Sequence, residues 1–309
     1  MTNFVEPLNI VIRKIPNAMK RLLIILTLIP LFTAAQHDYA KMHISHSELT
    51  PGIHRLFVGD VVTVVAYTGD EGLMVIDAAY EQTVTQLIDT LKRISDQPVK
   101  YLINTHIHAD HTGGNIELGK NATIIAHHSV KKWLASDRKQ GDKIPGPLPQ
   151  HAIPNFTFEG SLNMDFNGQT LNIYHLPGGH TAGDIIIYFS KSNVLVLGDL
   201  LFADNFPFVD TSQGGNPLIY LQNIKWILEN FPTDAIVVGG HGPVYSMEQL
   251  REWLTNLELS VEVMTEAKNN GLTAQQMKER RILSKWDSYG NFFITGDRWI
   301  DTWYPFIEQ

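Results

Sequence analysis

No cysteine occurs anywhere in the 309 residues. That absence removes disulfides, thiolate ligands and a cysteine nucleophile together, so any metal chemistry must rest on nitrogen and oxygen donors. Basic residues are also short, 24 against 32 acidic ones, for a formal net charge of −8. A nucleic-acid backbone is a poor partner for such a chain, because it is bound through clustered Lys and Arg. Long apolar runs are missing as well. The stretch from Leu22 to Phe32 falls short of the roughly 20 residues that span a bilayer. With 44% hydrophobic residues, the chain can nevertheless bury a full core.

The apolar stretch has a different meaning. Lys20 and Arg21 precede it, and Thr33-Ala34-Ala35 follows with small residues before Gln36. This is the three-part layout of a secretory signal peptide, with an uncleaved N-terminal anchor as the alternative. Residues 1–18 carry no such signal, and Met19 is a second candidate start. The expectation is an extension plus signal peptide over 1–35 and a single domain over 36–309. It places the mature chain in the periplasm or secreted, with no stable membrane insertion after cleavage. A cysteine-free chain suits an oxidising compartment.

Beyond Gln36, short apolar runs alternate with helical patterns. "GIHRLFV" and "VVTVVAYTGDEGLMVIDAAY" read as strands, the latter turning at 69–72. Val84, Leu87, Ile88, Leu91 and Ile94 share one helical face. "VKYLINTH" and "ATIIAHH" read as strands, and 137–154 as a Pro- and Gly-rich loop or flap. Asn167-Gly168 marks a hairpin, and "DIIIYFSKSNVLVLGD" a second one. "PLIYLQNIKWILENF" is an amphipathic helix. A long helix follows, with Ser246 as its N-cap and Gly271 beyond its end. The plan is α/β: two mixed sheets covered by helices.

Candidate ligands repeat one local grammar, in which an apolar strand runs out, a small or turn residue follows, and a metal-capable side chain appears. "KYLINTH" delivers His106, "NIYHLPGGH" delivers His180, "NVLVLGD" delivers Asp199 and "AIVVGGH" delivers His241. Strand ends in layered α/β folds open onto a shared crevice. His106 and His108, two apart, can point the same way from extended backbone, while Asp110 and His111 follow at a turn into helix. The seven donors are too many for one tetrahedral ion and suit two with open positions. Nitrogen and oxygen donors suit zinc, with iron or manganese also compatible.

The pattern H-x-H-x-D-H, followed by a distant His, an Asp and a final His, resembles the metallo-β-lactamase superfamily over about 45–270. The resemblance implies a four-layer αβ/βα sandwich with the site between the sheets. It implies that His106, His108 and His180 hold one Zn2+ and Asp110, His111 and His241 the other, with Asp199 bridging. Asp77 resembles the family's strand-end Asp and would sit behind the ligands. The implied activity is hydrolysis of a small-molecule carbonyl substrate by a hydroxide bridging the two ions, with Asp110 orienting the nucleophile.

The substrate is most simply a cyclic amide or ester, a β-lactam-like compound or a lactone. True β-lactamases of the superfamily place Cys or Ser where this chain has Asp199, so the broader hydrolase pattern fits better. A glyoxalase II-like thioesterase is the alternative; it wants a basic patch, for which Lys139 and Lys143 are the loop candidates. Iron-dependent sulfur or oxygen chemistry and a non-enzymatic metal-binding accessory protein are further readings. His127 and His128 read as surface polar, His175 as a satisfied core or rim histidine, and His37, His43, His46 and His151 as solvated. Asp204 and Asp210 read as turn formers, and Asp184 as a brace for the His180 loop. Trp133, Phe156, Phe158, Phe202, Phe206 and Phe208 either line a groove or pack.

Overall fold

The computed structural model describes residues 42–137 and 146–308. The expected signal peptide, His37, Lys139 and Lys143 lie outside the described residues. Among the described residues, no helix is long and apolar enough to cross a membrane.

The first sheet has seven strands in chain order: β1 (Ile44–Thr50), β2 (Ile53–Val58), β3 (Val62–Tyr67), β4 (Leu73–Ile76), β5 (Val99–Ile103), β6 (Thr123–His127) and β7 (Phe156–Phe158). Its first four strands pair antiparallel and its last four parallel. The second sheet runs in the order β13-β12-β11-β10-β9-β8, from β8 (Ser161–Phe166), β9 (Gln169–His175), β10 (Ile185–Phe189), β11 (Val194–Phe202), β12 (Ile236–His241) and β13 (Tyr245–Ser246). Only β11 and β12 pair parallel there.

Among the described residues, eight α-helices cover or connect the sheets. They are α1 (Val84–Ile94), α2 (Ala109–Thr112), α3 (Asn115–Leu118), α4 (His128–Leu134), α5 (Pro217–Asn230), α6 (Met247–Asn269), α7 (Ala274–Glu279) and α8 (Gly296–Trp303).

Side-chain alternation builds the layers. On β11, Val194 and Val196 enter the cluster between the sheets, with Val65, Met74, Ile76 and Ile103 from the first sheet. Leu195 and Leu197 point the other way, onto Ile224 and Ile227 of α5 and Leu250, Trp253 and Leu257 of α6. On the far face of the first sheet, Val64, Val75 and Leu102 pack on Leu87 and Leu91 of α1. A period of two sorts each strand between an inner and an outer core, which yields helix, sheet, sheet, helix. Truncating one of these buried leucines to alanine costs about 2–5 kcal/mol. The expected αβ/βα sandwich is the observed one.

The turns form as their residues dictate. Asn167 and Gly168 both take positive φ, 48° and 77°, as a two-residue hairpin of right-handed twist requires. Ser246 caps α6 by accepting from the Gln249 N–H, and the Gln249 side chain closes the capping box. The two outermost strands of the first sheet, β1 and β7, are additions to the sequence reading. β1 is an edge strand whose Ser47 and Glu48 face solvent and which lacks an apolar alternation, and β7, with three residues, is too short for its alternation to stand out.

Candidate metal centre

The parallel strands β5 and β6 and the pair β11–β12 end at one rim, and the candidate donors gather there. His106 and His108 leave β5 on extended backbone; His108 (φ −69°, ψ 154°) opens α2, whose single turn carries Asp110 and His111. His180 sits in the loop between β9 and β10. Asp184 holds that loop, accepting from the His180 N–H at 2.7 Å and from the Thr181 N–H and hydroxyl. Asp184 is therefore the brace expected. Burial pushes its carboxyl up to about 7, against the pull of those donors.

Asp199 departs from the simple grammar. It lies inside β11, not at its end, at a register shift beside Gly198, whose φ is +52°. A Cβ on Gly198 would meet the Thr105 side chain at 2.7 Å, so glycine serves both the twist and the close approach. His241 closes β12, and Gly240 before it has no room for a Cβ, which would run into Asp199 Oδ1.

All seven candidates come together. Donor atoms of His106, His108, His180 and Asp199 lie within 4.8 Å of one another, as do those of Asp110, His111 and His241. Asp199 stands between the groups: Oδ2 is 3.3 Å from both His180 Nε2 and His241 Nε2, and Oδ1 is 3.0 Å from His111 Nε2.

Each imidazole has its outward nitrogen engaged by an acceptor. His111 Nδ1 donates to Asp77 Oδ2 at 2.7 Å, His180 Nδ1 to the Phe208 carbonyl at 2.6 Å and His241 Nδ1 to the Val61 carbonyl at 2.7 Å. His108 Nε2 donates to Asp210 Oδ2 at 3.0 Å. His106 Nδ1 donates to the Thr105 hydroxyl, whose own proton goes to Asp77 Oδ2 at 2.7 Å. One buried carboxylate thus orients a histidine in each group.

With the outward protons placed, the inward nitrogens carry lone pairs whenever the rings are neutral. In the neutral rings His108 Nδ1 then lies lone pair to lone pair with His106 Nε2 at 3.1 Å and with His180 Nε2 at 2.8 Å. Such an arrangement is repulsive unless a cation sits among the nitrogens. In the other group, His111 Nε2 and Asp199 Oδ1 are buried without a hydrogen-bond partner, facing each other off the line that a hydrogen bond needs.

The electrostatics agree. Burial works against charge on His111 and His241, yet Asp199 and Asp110 outweigh it and raise both. Burial first, then neighbouring rings, holds His106 well below its ordinary value and takes His180 down to about 4. Burial also pushes the Asp199 carboxyl up, but His111 and His241 overcome it and hold that group well below the usual range. The pocket draws positive charge where its carboxylates stand and offers lone pairs beside it. The donor set fits a divalent ion.

Several side chains differ from expectation. Asp210 does cap a short turn through Ser212, but its other oxygen buttresses His108. No local signal could have linked residues 102 apart. His127 is half-buried, stacked on His175 at 3.6 Å between ring centroids, whereas His128, His43, His46 and His151 are exposed as expected. His175 donates to the Ala182 carbonyl at 2.9 Å. Asp204 takes φ 63° and accepts from the Tyr245 hydroxyl, a turn former in fact. Phe206 packs in the core; Phe202 is buried against His241 and Phe208 lies over His108.

Comparisons with known proteins place this geometry. Residues 56–241 match the family model for the metallo-beta-lactamase superfamily. The probable metallo-hydrolase YqgX of Bacillus subtilis is 28% identical over 145 residues, 46% of this chain and 68% of that protein. The hydroxyacylglutathione hydrolase GloC of Haemophilus influenzae is 26% identical over 175 residues, 53% of this chain and 78% of that protein. Among solved structures, a metallo-beta-lactamase from Pontibacter korlensis shares the fold with a TM-score of 0.57 at 21% identity, covering 69% of this chain and 98% of its own. With more than half of its residues inside the family match, the chain belongs to the metallo-beta-lactamase superfamily and is a metallo-hydrolase.

Proposed function

We propose that the chain is a binuclear zinc hydrolase of a small carbonyl substrate, most simply a cyclic amide or ester. The observation that carries this reading is the meeting of three imidazole nitrogens, His108 Nδ1 at 3.1 Å from His106 Nε2 and 2.8 Å from His180 Nε2, beside a second donor group next to Asp199. His106, His108 and His180 would hold one ion and Asp110, His111 and His241 the other, with Asp199 between them. When bound, such ions supply Lewis acidity and bring the pKa of a coordinated water to about 7.

The chain's own residues do the rest. Asp199 is 3% exposed and reaches both donor groups, so it fixes their separation. The Asp110 side chain is 20% exposed and its Oδ2 is 3.5 Å from His241 Nε2. It is the carboxylate of the set that opens to the cleft, and it is placed to accept and hold the proton of an attacking water. Asp77, Asp210 and the carbonyls of Phe208 and Val61 keep each imidazole in the tautomer that faces inward. Phe202 and Phe208, lying against His241 and His108, keep bulk water off that side of the site.

The test is hydrolysis by the zinc-loaded chain of a panel holding nitrocefin, γ-lactones and S-lactoylglutathione. Turnover of the lactam or lactones is expected, together with its loss in His106→Ala and Asp199→Asn proteins that remain folded and bind less zinc. Full activity in either variant overturns the reading. The likeness to the Haemophilus hydroxyacylglutathione hydrolase favours a second reading, thioester hydrolysis, and turnover of S-lactoylglutathione alone selects it. Export through residues 1–35 is likewise proposed, with the chain recovered from the periplasm or medium as the supporting result.

A further inference from the structure

The family match ends at residue 241, yet the chain beyond it returns to the site. The Phe292 ring lies 5.5 Å from that of His241. Phe293 stands edge-on, at 90°, to Phe208 with 5.4 Å between centroids, and Phe208 in turn lies 5.6 Å from His108 and 5.7 Å from His180. The turn that presents these rings is anchored. Ile294, Trp286 and Trp299 are buried beneath it, and the Tyr289 carbonyl accepts from the Phe206 N–H at 2.9 Å. Arg298 donates to the Phe293 carbonyl at 3.1 Å and lays its guanidinium 4.5 Å from the ring centroid.

Within this fixed frame Phe293 is 51% exposed, the highest value among the exposed large hydrophobic side chains of the described residues. A ring held half in water, one aromatic contact from the proposed ligands, contributes little to the core. It forms an apolar corner with Phe208, which lies over the partly exposed His108. A third ring entering that corner stacks on one partner and meets the other edge-on, a geometry aromatic groups prefer and alkyl groups cannot exploit.

We propose that this C-terminal turn is a recognition wall for an aromatic substituent of the substrate, with Phe293 as the residue that sets the selectivity. The proposal rests on the reading of the site as a zinc centre for a small molecule and names the class of substituent it takes.

Its test separates the two. Benzyl mercaptan and ethanethiol are titrated calorimetrically into the zinc-loaded chain, the thiolate serving as an anchor for the metal and the side group as the probe. The wild type is expected to prefer the aromatic thiol. Phe293→Ala should shrink the ratio of the two dissociation constants by about threefold to tenfold, the range set by one aromatic pair, and Phe293→Tyr should restore it. Zinc content stays at the wild-type level because the side chain is not a ligand. An unchanged ratio in Phe293→Ala overturns the proposal while leaving the zinc reading intact. Binding of neither thiol to the zinc-loaded wild type overturns the zinc reading, and the proposal with it.

Discussion

Asp77→Asn tests whether one carboxylate orients both donor groups. Asp77 is buried, accepting from the Thr105 N–H at Oδ1 and from both the Thr105 hydroxyl and His111 Nδ1 at Oδ2. Its φ of 62° is a conformation that Asn tolerates and Ala does not, so Asn isolates the chemistry from backbone strain. The Asn oxygen can still accept from the Thr105 N–H, leaving an amide NH2 facing two donors. A charge-assisted hydrogen bond contributes about 1.5–3 kcal/mol. The Thr105 hydroxyl can rotate to recover part of its share, so the metal-free protein should lose about 2–4 kcal/mol. That lowers the melting midpoint by roughly 2–4 °C for each kcal/mol.

The effect on metal is more diagnostic. Opposite an NH2 group, His111 must move its proton to Nε2, which blocks the lone pair turned to the site. His106 meanwhile loses the relay through Thr105. Loss of such supporting partners weakens metal affinity by roughly 10–100-fold, so chelator-competition titration should show both zinc steps weakened in Asp77→Asn. Thr105→Val should weaken only the step that belongs to His106. A variant Asp77→Asn that binds both equivalents as wild type does, or that loses affinity at one step alone, refutes the relay.

Three further outcomes follow from the geometry. Gly240→Ala should fold yet bind little zinc by elemental analysis, since the added methyl runs into Asp199 Oδ1 and His111; wild-type zinc content contradicts the close packing there. Asp210→Ala should weaken one zinc step by roughly 10–100-fold through His108, and cost about 1 kcal/mol in melting for the lost cap of its short helix. His127, stacked on His175, is taken down to about 4 by burial first and by the other ring second. Its folded value lies below the ordinary 6.5, so the unfolded chain binds the extra proton. That part of the stability is full above pH 6.5 and is lost as the pH falls toward 4. Melting of the metal-free protein should show it as a slope that is smaller in His127→Phe, and equal slopes contradict it.

Much of this architecture was legible because local chemistry and the final fold agree. Asn167-Gly168, the Ser246 cap and the alternation of Val194 to Leu197 each announce their element within a few residues. The donors were legible for a related reason: His106, His180, Asp199 and His241 each follow an apolar run and a small or turn residue, and His108, Asp110 and His111 crowd directly behind His106. What the chain hid is long-range. Asp210 meets His108 across 102 positions, the Val61 carbonyl meets His241 across 180, and nothing local marks either. His127 and His175 come from different sheets and find each other only when the layers close. Phe292 and Phe293 lie in a stretch without period, where proximity to the site is a property of the C-terminal packing alone.

The central claim is that donors from four separate segments converge on a pair of cations. Native mass spectrometry of the metal-free chain titrated with zinc tests it most directly. The account predicts two tightly held zinc ions per chain in the wild type and fewer in His106→Ala and in Asp199→Asn. A wild type that holds none, or variants that still hold two with unchanged affinity, would contradict it.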